Sequence, residues 1–398
     1  MHSRRRPRRA IVVGILLVGS LLAGCAPARP DAATAPAQSP ASVTPTSAAP
    51  RTATVVLAGD LLWHNTTWYS AQEDARAEGR TGADTYDFGP MFGSMAPVIG
   101  AADLAVCHEE VPVGPAGGPY RNYPTFAAPP QVAAGAAAAG YDLCTLGSNH
   151  SLDAGTAGIT RTVAAFRDAG VVTTGAYATE EDSRTPAIRT TASGVRVAVI
   201  EAAYGLNGLR PSADHAWAVD LIDTSAMIAK ARAARAAGAD IVLAALHDGT
   251  EYTTAPTPTQ ISNAKALADS GVIDLVYGHH VHTVQPWEKV DGTWVVYGLG
   301  NQIAQQLPDQ PTTYEGITAR FTFTEVSPGR FEATDPTAIP TYVTRYAAGR
   351  PIRLVHVTAA LDGTAPVPAG VERTTLERAR DRTLAAVRSR GAEGIAVG

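Results

Sequence analysis

Short apolar runs alternate with longer amphipathic stretches through most of this chain, and the two patterns predict different elements. The apolar runs begin near Val55, Leu104, Tyr141, Ile241 and Ile273. Short runs rich in β-branched and aliphatic residues predict buried strands. The stretches between them have helical spacing and predict helices at 68–79, 90–99, 131–139, 154–170, 224–238 and 258–271. Strands that alternate with helices predict βαβ units and a largely parallel sheet in an α/β fold.

Further strands are predicted after residue 170, some of them joined in two hairpins. One hairpin joins strands at 187–191 and 195–200, and another turns over Asp291 and Gly292. The remaining strands are predicted at 171–174, 318–325, 341–345 and 352–357. A charged helix is predicted at 372–388.

The N-terminus breaks this pattern. Five arginines in the first nine residues precede an uncharged apolar run over 11–24. Because this run is too short to span a bilayer comfortably, residues 1–24 predict a signal peptide. The run ends Leu22-Ala23-Gly24-Cys25, which resembles the lipobox of bacterial lipoproteins and implies lipidation of Cys25. An ordinary secretion signal is the alternative.

Composition divides the rest of the chain. Residues 25–51 are mostly Ala, Pro, Ser and Thr, which predicts a disordered tether. The folded part would then sit on the extracytoplasmic face of the cell membrane, anchored by lipid at Cys25. Residues 52–345 are predicted as the main domain, and 346–398 as a strand and helix extension.

The net charge of the chain argues against one class of ligand. Removing residues 1–24 would lower the formal charge from −5 to −10, which argues against nucleic acid as a partner. An anionic substrate would need a local positive centre, such as metal ions.

Cys107 and Cys144 lie in apolar runs, so buried thiols are the default interpretation. An exported setting permits a disulfide, which the sequence does not establish.

Polar side chains follow the apolar runs directly. Seven of the ten histidines lie at these ends: His64, His108, His150, His247, His279, His280 and His282. Acids and amides accompany them: Asp60, Glu109, Glu110, Asn149, Asp153, Glu251 and Asn301. Because the carboxyl ends of parallel strands lie on one side of a sheet, these side chains are predicted to converge on a metal site. The alternative is a set of solvated loop histidines.

Six motifs in order resemble the CapA family, whose members are linked to poly-γ-glutamate capsule synthesis and related to calcineurin-like metallophosphatases. The resemblance covers about residues 52 to 330. The motifs are Gly59-Asp60, His108-Glu109-Glu110, Ser148-Asn149-His150-Ser151-Leu152-Asp153-Ala154-Gly155, His247-Asp248-Gly249-Thr250-Glu251, Gly278-His279-His280-Val281-His282-Thr283-Val284-Gln285 and Leu299-Gly300-Asn301. Departures from the family pattern occur at Asn65, His108, Asp248 and Val281.

The resemblance implies a layered αββα sandwich of the metallophosphatase type and a set of site residues. One or two divalent ions, Mn, Fe or Zn, would be held by Asp60, Glu110, Asn149, His247, His280 and His282. His279 and Asn301 would support these ligands. His150 would act as general acid. Asp153 and Glu251 would orient neighbouring histidines, or else serve as ordinary cap or loop acids.

Two functions follow from this resemblance. The first is a metal-dependent hydrolase acting on a phosphoester, on a γ-linked glutamate polymer or on a similar envelope polymer. The second is a non-catalytic metal-binding component of a capsule polymer synthesis or export complex. A solute-binding lipoprotein is a third hypothesis, but the sequence shows no internal repeat to support two similar lobes. Arg121, in a loop rich in Gly, Pro and aromatic residues, could hold a substrate carboxylate or phosphate, or could simply be exposed.

Overall fold

Two β-sheets pack face to face between outer helices. A computed structural model describes residues 49–82, 85–306 and 309–398. The strands in this part are β1 Thr52–Leu61, β2 Leu104–Glu109, β3 Leu143–Thr145, β4 Val172–Thr174, β5 Ala187–Thr190, β6 Arg196–Ala203, β7 Ile241–His247, β8 Leu275–His279, β9 Trp287–Val290, β10 Thr293–Val296, β11 Asn301–Ile303, β12 Glu315–Ser327, β13 Arg330–Val343, β14 Leu354–His356 and β15 Ala396–Val397. The α-helices are α1 Asn65–Ala77, α2 Ala96–Gly100, α3 Val132–Ala139, α4 Gly155–Asp168, α5 Glu180–Arg184, α6 Thr224–Ala236, α7 Pro258–Ala268, α8 Val357–Asp362 and α9 Arg373–Arg388.

The strand order brings the ends of the parallel strands together in each sheet. One sheet runs β14-β13-β12-β1-β2-β3-β4, with β11 beside β1 and β15 beside β13. The other runs β5-β6-β7-β8-β10-β9. Strands β1 to β4 are mutually parallel, as are β6 to β8. The predicted βαβ arrangement is therefore confirmed.

Three apolar clusters define the layers. Leu57, Val106, Leu243 and Phe321 belong to the cluster between the two sheets. A second cluster packs the helices around α3 and α4 against the outer face of the first sheet. A third packs α6 and α7 against the outer face of the second sheet. The predicted αββα sandwich is confirmed, because each sheet buries one face against the other sheet and one against helices.

Three predicted elements differ from the structure, and prolines lie in two of them. The helix predicted over 90–99 is a 3-10 turn, Gly89–Phe92, followed by the short helix α2. Pro97 lies in the first turn of α2 and cannot continue a helix from the preceding turn, since its ring would clash there. The strand predicted at 341–345 is only the end of β13, which passes through Pro336 and Pro340. Asn301 begins β11 rather than ending a strand.

Cys107 and Cys144 form a disulfide. They lie opposite each other in the register of β2 and β3, with Cα atoms 4.5 Å apart. The default interpretation of two separate buried thiols is therefore wrong, because the strand register places the two side chains together.

Most of the N-terminal segment lies outside the described residues, whereas the C-terminal segment is part of the folded unit. The predicted signal peptide at 1–24, the predicted lipidation site Cys25 and all but the last residues of the predicted tether lie outside the described residues. Ala49–Gly398 form one compact unit, in which β14 pairs with β13 and Val387 of α9 enters the cluster between the sheets. Within the part of the chain that the structure describes, no helix has the length and apolar character needed to cross a membrane.

Candidate metal centre

Two glycines let strands approach closely enough to bring the ligands together. A Cβ on Gly59 would lie 2.1 Å from the carbonyl oxygen of Gly300, and one on Gly278 would lie 2.0 Å from that of Tyr297. Only glycine fits such contacts. The first contact seats β1 beside β11, so that Asp60 and Asn301 are paired in register.

Asp60 is fully buried and contacts three histidines, one at the end of β8 and two in the loop that follows it. Its Oδ1 lies 2.8 Å from Nδ1 of His279, and its Oδ2 lies 3.2 Å from Nδ1 of His282. The backbone N–H of His280 donates to Oδ2 at 3.3 Å. Burial would raise the pKa of Asp60, but hydrogen bonds from His279 and His282 hold it well below its usual value. Asp60 is therefore a carboxylate surrounded by imidazoles.

Glu110 lies between two groups of possible ligands. One atom each from Glu110, His247 and His280 lies within 4.8 Å of the others, and the same holds for Asp60, Glu110 and His282. Glu110 is fully buried, yet neither of its carboxylate oxygens has a hydrogen-bond partner among the described residues. A buried carboxylate without donors is costly unless a cation neutralises it.

Three of the imidazoles, those of His247, His279 and His280, favour the neutral state that metal ligands require. Burial lowers the pKa of His247 well below its usual value, that of His280 to about 3 and that of His279 to about 4. Burial also opposes protonation of His282, but the charges of Glu110 and Asp60 outweigh it and raise its pKa to about 9. A cation beside Glu110 would compete with this proton.

The residues present fit a divalent metal. His280 Nδ1 and His279 Nε2 are buried without partners among the described residues, like the two oxygens of Glu110. Mixed imidazole and carboxylate donors suit Mn, Fe and Zn alike, so the donor set does not select one of them. A third group of potential ligands joins Asp60, His108 and His279.

The motif after β3 supplies the next two predicted residues. Oδ1 of Asn149 lies 2.8 Å from Nε2 of His247. His150 Nδ1 lies 2.7 Å from Oδ2 of Asp153, which also accepts the backbone N–H of Phe126 at 2.8 Å. Asp153 thus contacts a histidine as predicted, and the Nε2 side of His150 remains for the adjoining cavity.

His279 and Asn301, the two predicted supporting residues, contact histidines of the site, whereas Glu251 does not. His279 stacks on His108 with ring centres 4.1 Å apart, and Asn301 Oδ1 lies 3.0 Å from Nδ1 of His282. Glu251 is exposed and hydrogen-bonds Tyr252. The structure therefore places Glu251 at the rim of the site and not as the hydrogen-bond partner of a histidine, because the turn after β7 carries it away from the buried ligands.

Sequence reasoning missed Glu201, which lies behind the ligands. His108 Nε2 lies 2.9 Å from Nδ1 of His247, while His108 Nδ1 lies 3.0 Å from Oε1 of Glu201 and 2.9 Å from the hydroxyl of Thr145. Burial opposes protonation of His108, but the charge of Glu201 outweighs it and raises the pKa. An acid within the apolar strand β6 was the only sequence signal. A carboxylate and an imidazole thus fix the orientation of His247.

A cavity of about 880 Å³ opens beside the ligands. His150, Asp153, Glu251 and His282 line it. Seven amide side chains also line it: Asn65, Asn122, Asn149, Asn207, Gln305, Gln306 and Gln310. No lysine or arginine is among its described lining residues.

Arg121 does not line this cavity. Its guanidinium donates to the carbonyl oxygens of Thr125 and Asp153, at 3.3 and 2.9 Å. It therefore holds the loop against the start of α4, and the hypothesis that it binds a substrate anion gains no support.

Backbone strain concentrates at the same place. Six non-glycine residues in the described ranges have positive φ, and four of them surround the site: Asn207, Tyr252, His280 and His282. Such conformations persist only where surrounding contacts hold them, and they occur preferentially at functional sites.

Comparison with known proteins places the chain among capsule proteins. The sequence model described as "Bacterial capsule synthesis protein PGA_cap" matches residues 54–306. The chain is 29% identical over 171 residues to the capsule biosynthesis protein CapA of Bacillus anthracis, covering 42% of this chain and 41% of that protein. It is 32% identical over 193 residues to the "Probable polyglutamine synthesis accessory protein" of Mycobacterium tuberculosis strain H37Rv, covering 46% and 48%.

The matched segment spans about half or less of the length of these relatives. Among solved structures, a calcineurin-like phosphoesterase from Bacillus subtilis aligns with a TM-score of 0.42 and 15% identity, covering 85% of this chain and 99% of that one.

Proposed function

Since this chain belongs to the PGA_cap family of bacterial capsule synthesis proteins, we propose that it is a metal-dependent hydrolase. Its substrate would be poly-γ-glutamate or another cell-envelope polymer, and it would act in synthesis or processing of that polymer. The observation that carries the proposal is the buried carboxylate of Glu110, which has no hydrogen-bond partner among the described residues and belongs to two groups of possible ligands.

The protein's own residues would divide the work. Asp60, Glu110, Asn149, His247, His280 and His282 would hold the metal, with His279 and Asn301 fixing Asp60 and His282. A bound divalent cation supplies Lewis-acid polarisation of a carbonyl or phosphoryl oxygen. The left-handed backbone at His280 and His282 would orient these donors towards the site.

His150 is the group that would move a proton. Asp153 accepts from Nδ1 of His150 and so leaves Nε2 to face the reacting group. In the imidazolium form, which carries a proton on each nitrogen, such a histidine would donate the Nε2 proton to the leaving amine or alkoxide as general acid and become neutral. Phe126 packs edge-on to the His150 ring, with centroids 4.9 Å apart, and limits water around it.

The lining of the cavity supports a polymer with amide linkages. Asn and Gln side chains both donate and accept hydrogen bonds, which suits the peptide-like backbone of a polyamide. A phosphoester substrate would favour arginine in the lining, and the described lining has none. We therefore favour the amide-linked polymer over a generic phosphoester.

The proposal places the protein on the extracytoplasmic face of the membrane, held by lipid on Cys25 after removal of residues 1–24. The buried disulfide between Cys107 and Cys144 supports an exported setting, because disulfides persist in oxidising compartments. A capsule synthesis complex would be its natural partner there.

The second candidate is a non-catalytic metal-binding component of such a complex. What favours it is that both ring nitrogens of His247 are engaged within the protein, one by His108 and one by Asn149. A site organised this way could hold a metal for rigidity alone.

Metal analysis and two assays of the purified full chain would separate the candidates. We expect bound metal and cleavage of poly-γ-glutamate, with slower or no cleavage of a generic phosphodiester. His150→Gln should keep the metal and lose cleavage. Metal without any cleavage would select the non-catalytic candidate, and a chain without metal would overturn both.

A further inference from the structure

A second cavity, of about 600 Å³, lies outside the family-matched residues and is lined by three arginines. They are Arg345, Arg350 and Arg353, on the segment after β13. The remaining wall includes Tyr342, Tyr346 and the residues that lead into α9. We call this the arginine cavity.

The three arginines are held in different ways. Arg353 is neutralised by Asp74 through two hydrogen bonds of 2.9 and 2.6 Å. Arg345 lies over the ring of Tyr314, 4.5 Å from its centre. Arg350 is exposed, and no hydrogen bond or ion pair joins its guanidinium to the described residues. A Cβ on Gly370 would lie 2.3 Å from this guanidinium, so glycine makes the space for it.

The surrounding charge makes this cavity unusual. The chain carries a formal charge of −5, and five of its arginines lie in the first nine residues. One acid, Glu372, also lines the cavity, and its carboxylate accepts from the hydroxyl of Thr374 at 3.3 Å. Arg345 and Arg350 therefore form a local positive centre on an acidic protein.

Two contacts connect the arginine cavity to the cavity beside the metal ligands. Gln305 lines the metal-side cavity, and its side chain bonds the backbone of Thr344 and Tyr346 at 2.8 and 2.9 Å. Asn65 lines the same cavity. Tyr69 lies one turn later on α1, and its ring centre is 6.1 Å from that of Tyr346. Tyr69 is 46% exposed, so an aromatic ring accessible to solvent lies beside Tyr346 of the arginine cavity and one turn from Asn65 of the other cavity.

We propose that Arg345 and Arg350 bind carboxylate groups of an anionic polymer whose backbone lies in the amide-lined cavity. This inference rests on the proposed function, and it assigns the two cavities different parts of one ligand. The amide-lined cavity offers hydrogen bonds to the backbone but no lysine or arginine among its described residues. The arginine cavity offers guanidinium forks, which match carboxylates. Binding at both places raises the apparent affinity for long chains over short ones.

The test measures binding without catalysis. Fluorescently labelled poly-γ-glutamate is titrated into the full-length Asp60→Ala variant, which is designed to lack metal, and anisotropy gives Kd at low salt. Adding Arg345→Gln and Arg350→Gln should weaken binding about tenfold or more, the loss expected for one or two charge-assisted hydrogen bonds. The matched control replaces Arg167 and Arg232, exposed on α4 and α6, and should change Kd less than about twofold. The Tm of each variant checks folding.

Other outcomes would overturn the proposal. An equal loss in both double variants would show only non-specific attraction, and no loss in either would show that the arginine cavity does not bind the polymer. Polyphosphate binding that depends on Arg350, without binding of poly-γ-glutamate, would assign the cavity to phosphate. Competition with the labelled polymer by one whose carboxylates are esterified would also overturn the proposal, because such a polymer offers no carboxylate to the arginines. If the wild-type chain binds the polymer through these arginines but never cleaves it, the hydrolase proposal fails and this inference stands.

Discussion

Acids at the two ends of the parallel strands have opposite kinds of partners. At the amino ends, an aspartate directly precedes each of four strands: Asp103, Asp142, Asp240 and Asp274. Each carboxylate accepts the backbone N–H of a neighbouring strand, at 2.6 to 2.9 Å. Arg51 further pairs with Asp240, and Arg235 with Asp274. These acids meet fixed donors and act as clips between strands.

At the carboxyl ends the acids lie among imidazoles instead of arginines. Asp60, Glu110 and Glu201 are buried among imidazoles, and no lysine or arginine of the described chain is paired with them. An imidazole carries positive charge only while it is protonated. The contrast shows that acids paired with strand N–H groups and arginines stabilise the sheet, whereas acids surrounded by imidazoles prepare a cation site.

Removing one aspartate at each end tests this contrast most strongly. Asp60→Ala should abolish metal binding, because it removes a ligand shared by two groups of donors. Asp240→Ala should leave the metal content unchanged and lower the free energy of unfolding by about 2 kcal/mol, since it removes the acceptor for Arg196 N–H and the partner of Arg51. Elemental analysis and urea unfolding measure the two effects. Loss of metal in both variants would contradict the division.

Proton transfer should depend on the carboxyl end alone. His150→Gln should lower polymer turnover by about 10² to 10⁴ while metal content stays unchanged, because general acid catalysis contributes that much. Asp153→Asn should have a smaller effect of the same kind, since it removes the group that orients His150. Initial rates at saturating polymer measure both. Metal loss in His150→Gln would instead make His150 a ligand.

Two buried glutamates next to the centre should differ in their effect on metal affinity. Glu201→Gln removes the charge beside His108 and should raise the metal Kd about 10-fold to 100-fold. Glu109 is the matched control: burial raises its pKa well above the usual value, and its carboxylic acid contacts Trp63 Nε1 at 2.8 Å. Glu109→Gln should leave the affinity nearly unchanged, because a neutral amide replaces a neutral acid. Competition with a chelator measures both values, and equal shifts would argue against a specific role for Glu201.

The smallest effect is expected from pH at the amino end. Burial raises the pKa of Asp274 to about 6, although Arg235 opposes this. A carboxyl group whose pKa is raised by folding binds its proton more tightly in the folded state, so its contribution to stability is present below pH 3.8 and is lost as the pH rises through about 6. Asp274→Asn should remove this decline, which we expect to amount to about 1 kcal/mol because the side chain is 17% exposed. Urea unfolding at several pH values checks it, and parallel pH profiles would show that Asp274 does not titrate in this window.

The carboxyl-end ligands were accessible to sequence reasoning, and the residues behind them were not. Asp60, Asn149 and His247 each follow an apolar run directly, a local pattern that parallel strands translate into a shared rim. Glu201 has no such signal, because an acid inside an apolar strand gains meaning only from its partner on another sheet. The same holds for the arginines of the second cavity, which lie in an irregular segment.

The sequence by itself determined the α/β class, the order of most strands and helices, and the residue types at the strand ends, because these depend on hydrophobic periodicity over short stretches. Only the tertiary structure decided that Cys107 bonds Cys144, that His108 links Glu201 to His247, and that Glu251 lies at the rim. It also decided that Asn301 opens β11 beside Asp60. These features depend on strand register and on the packing of one sheet against the other, which bring together side chains far apart in the chain.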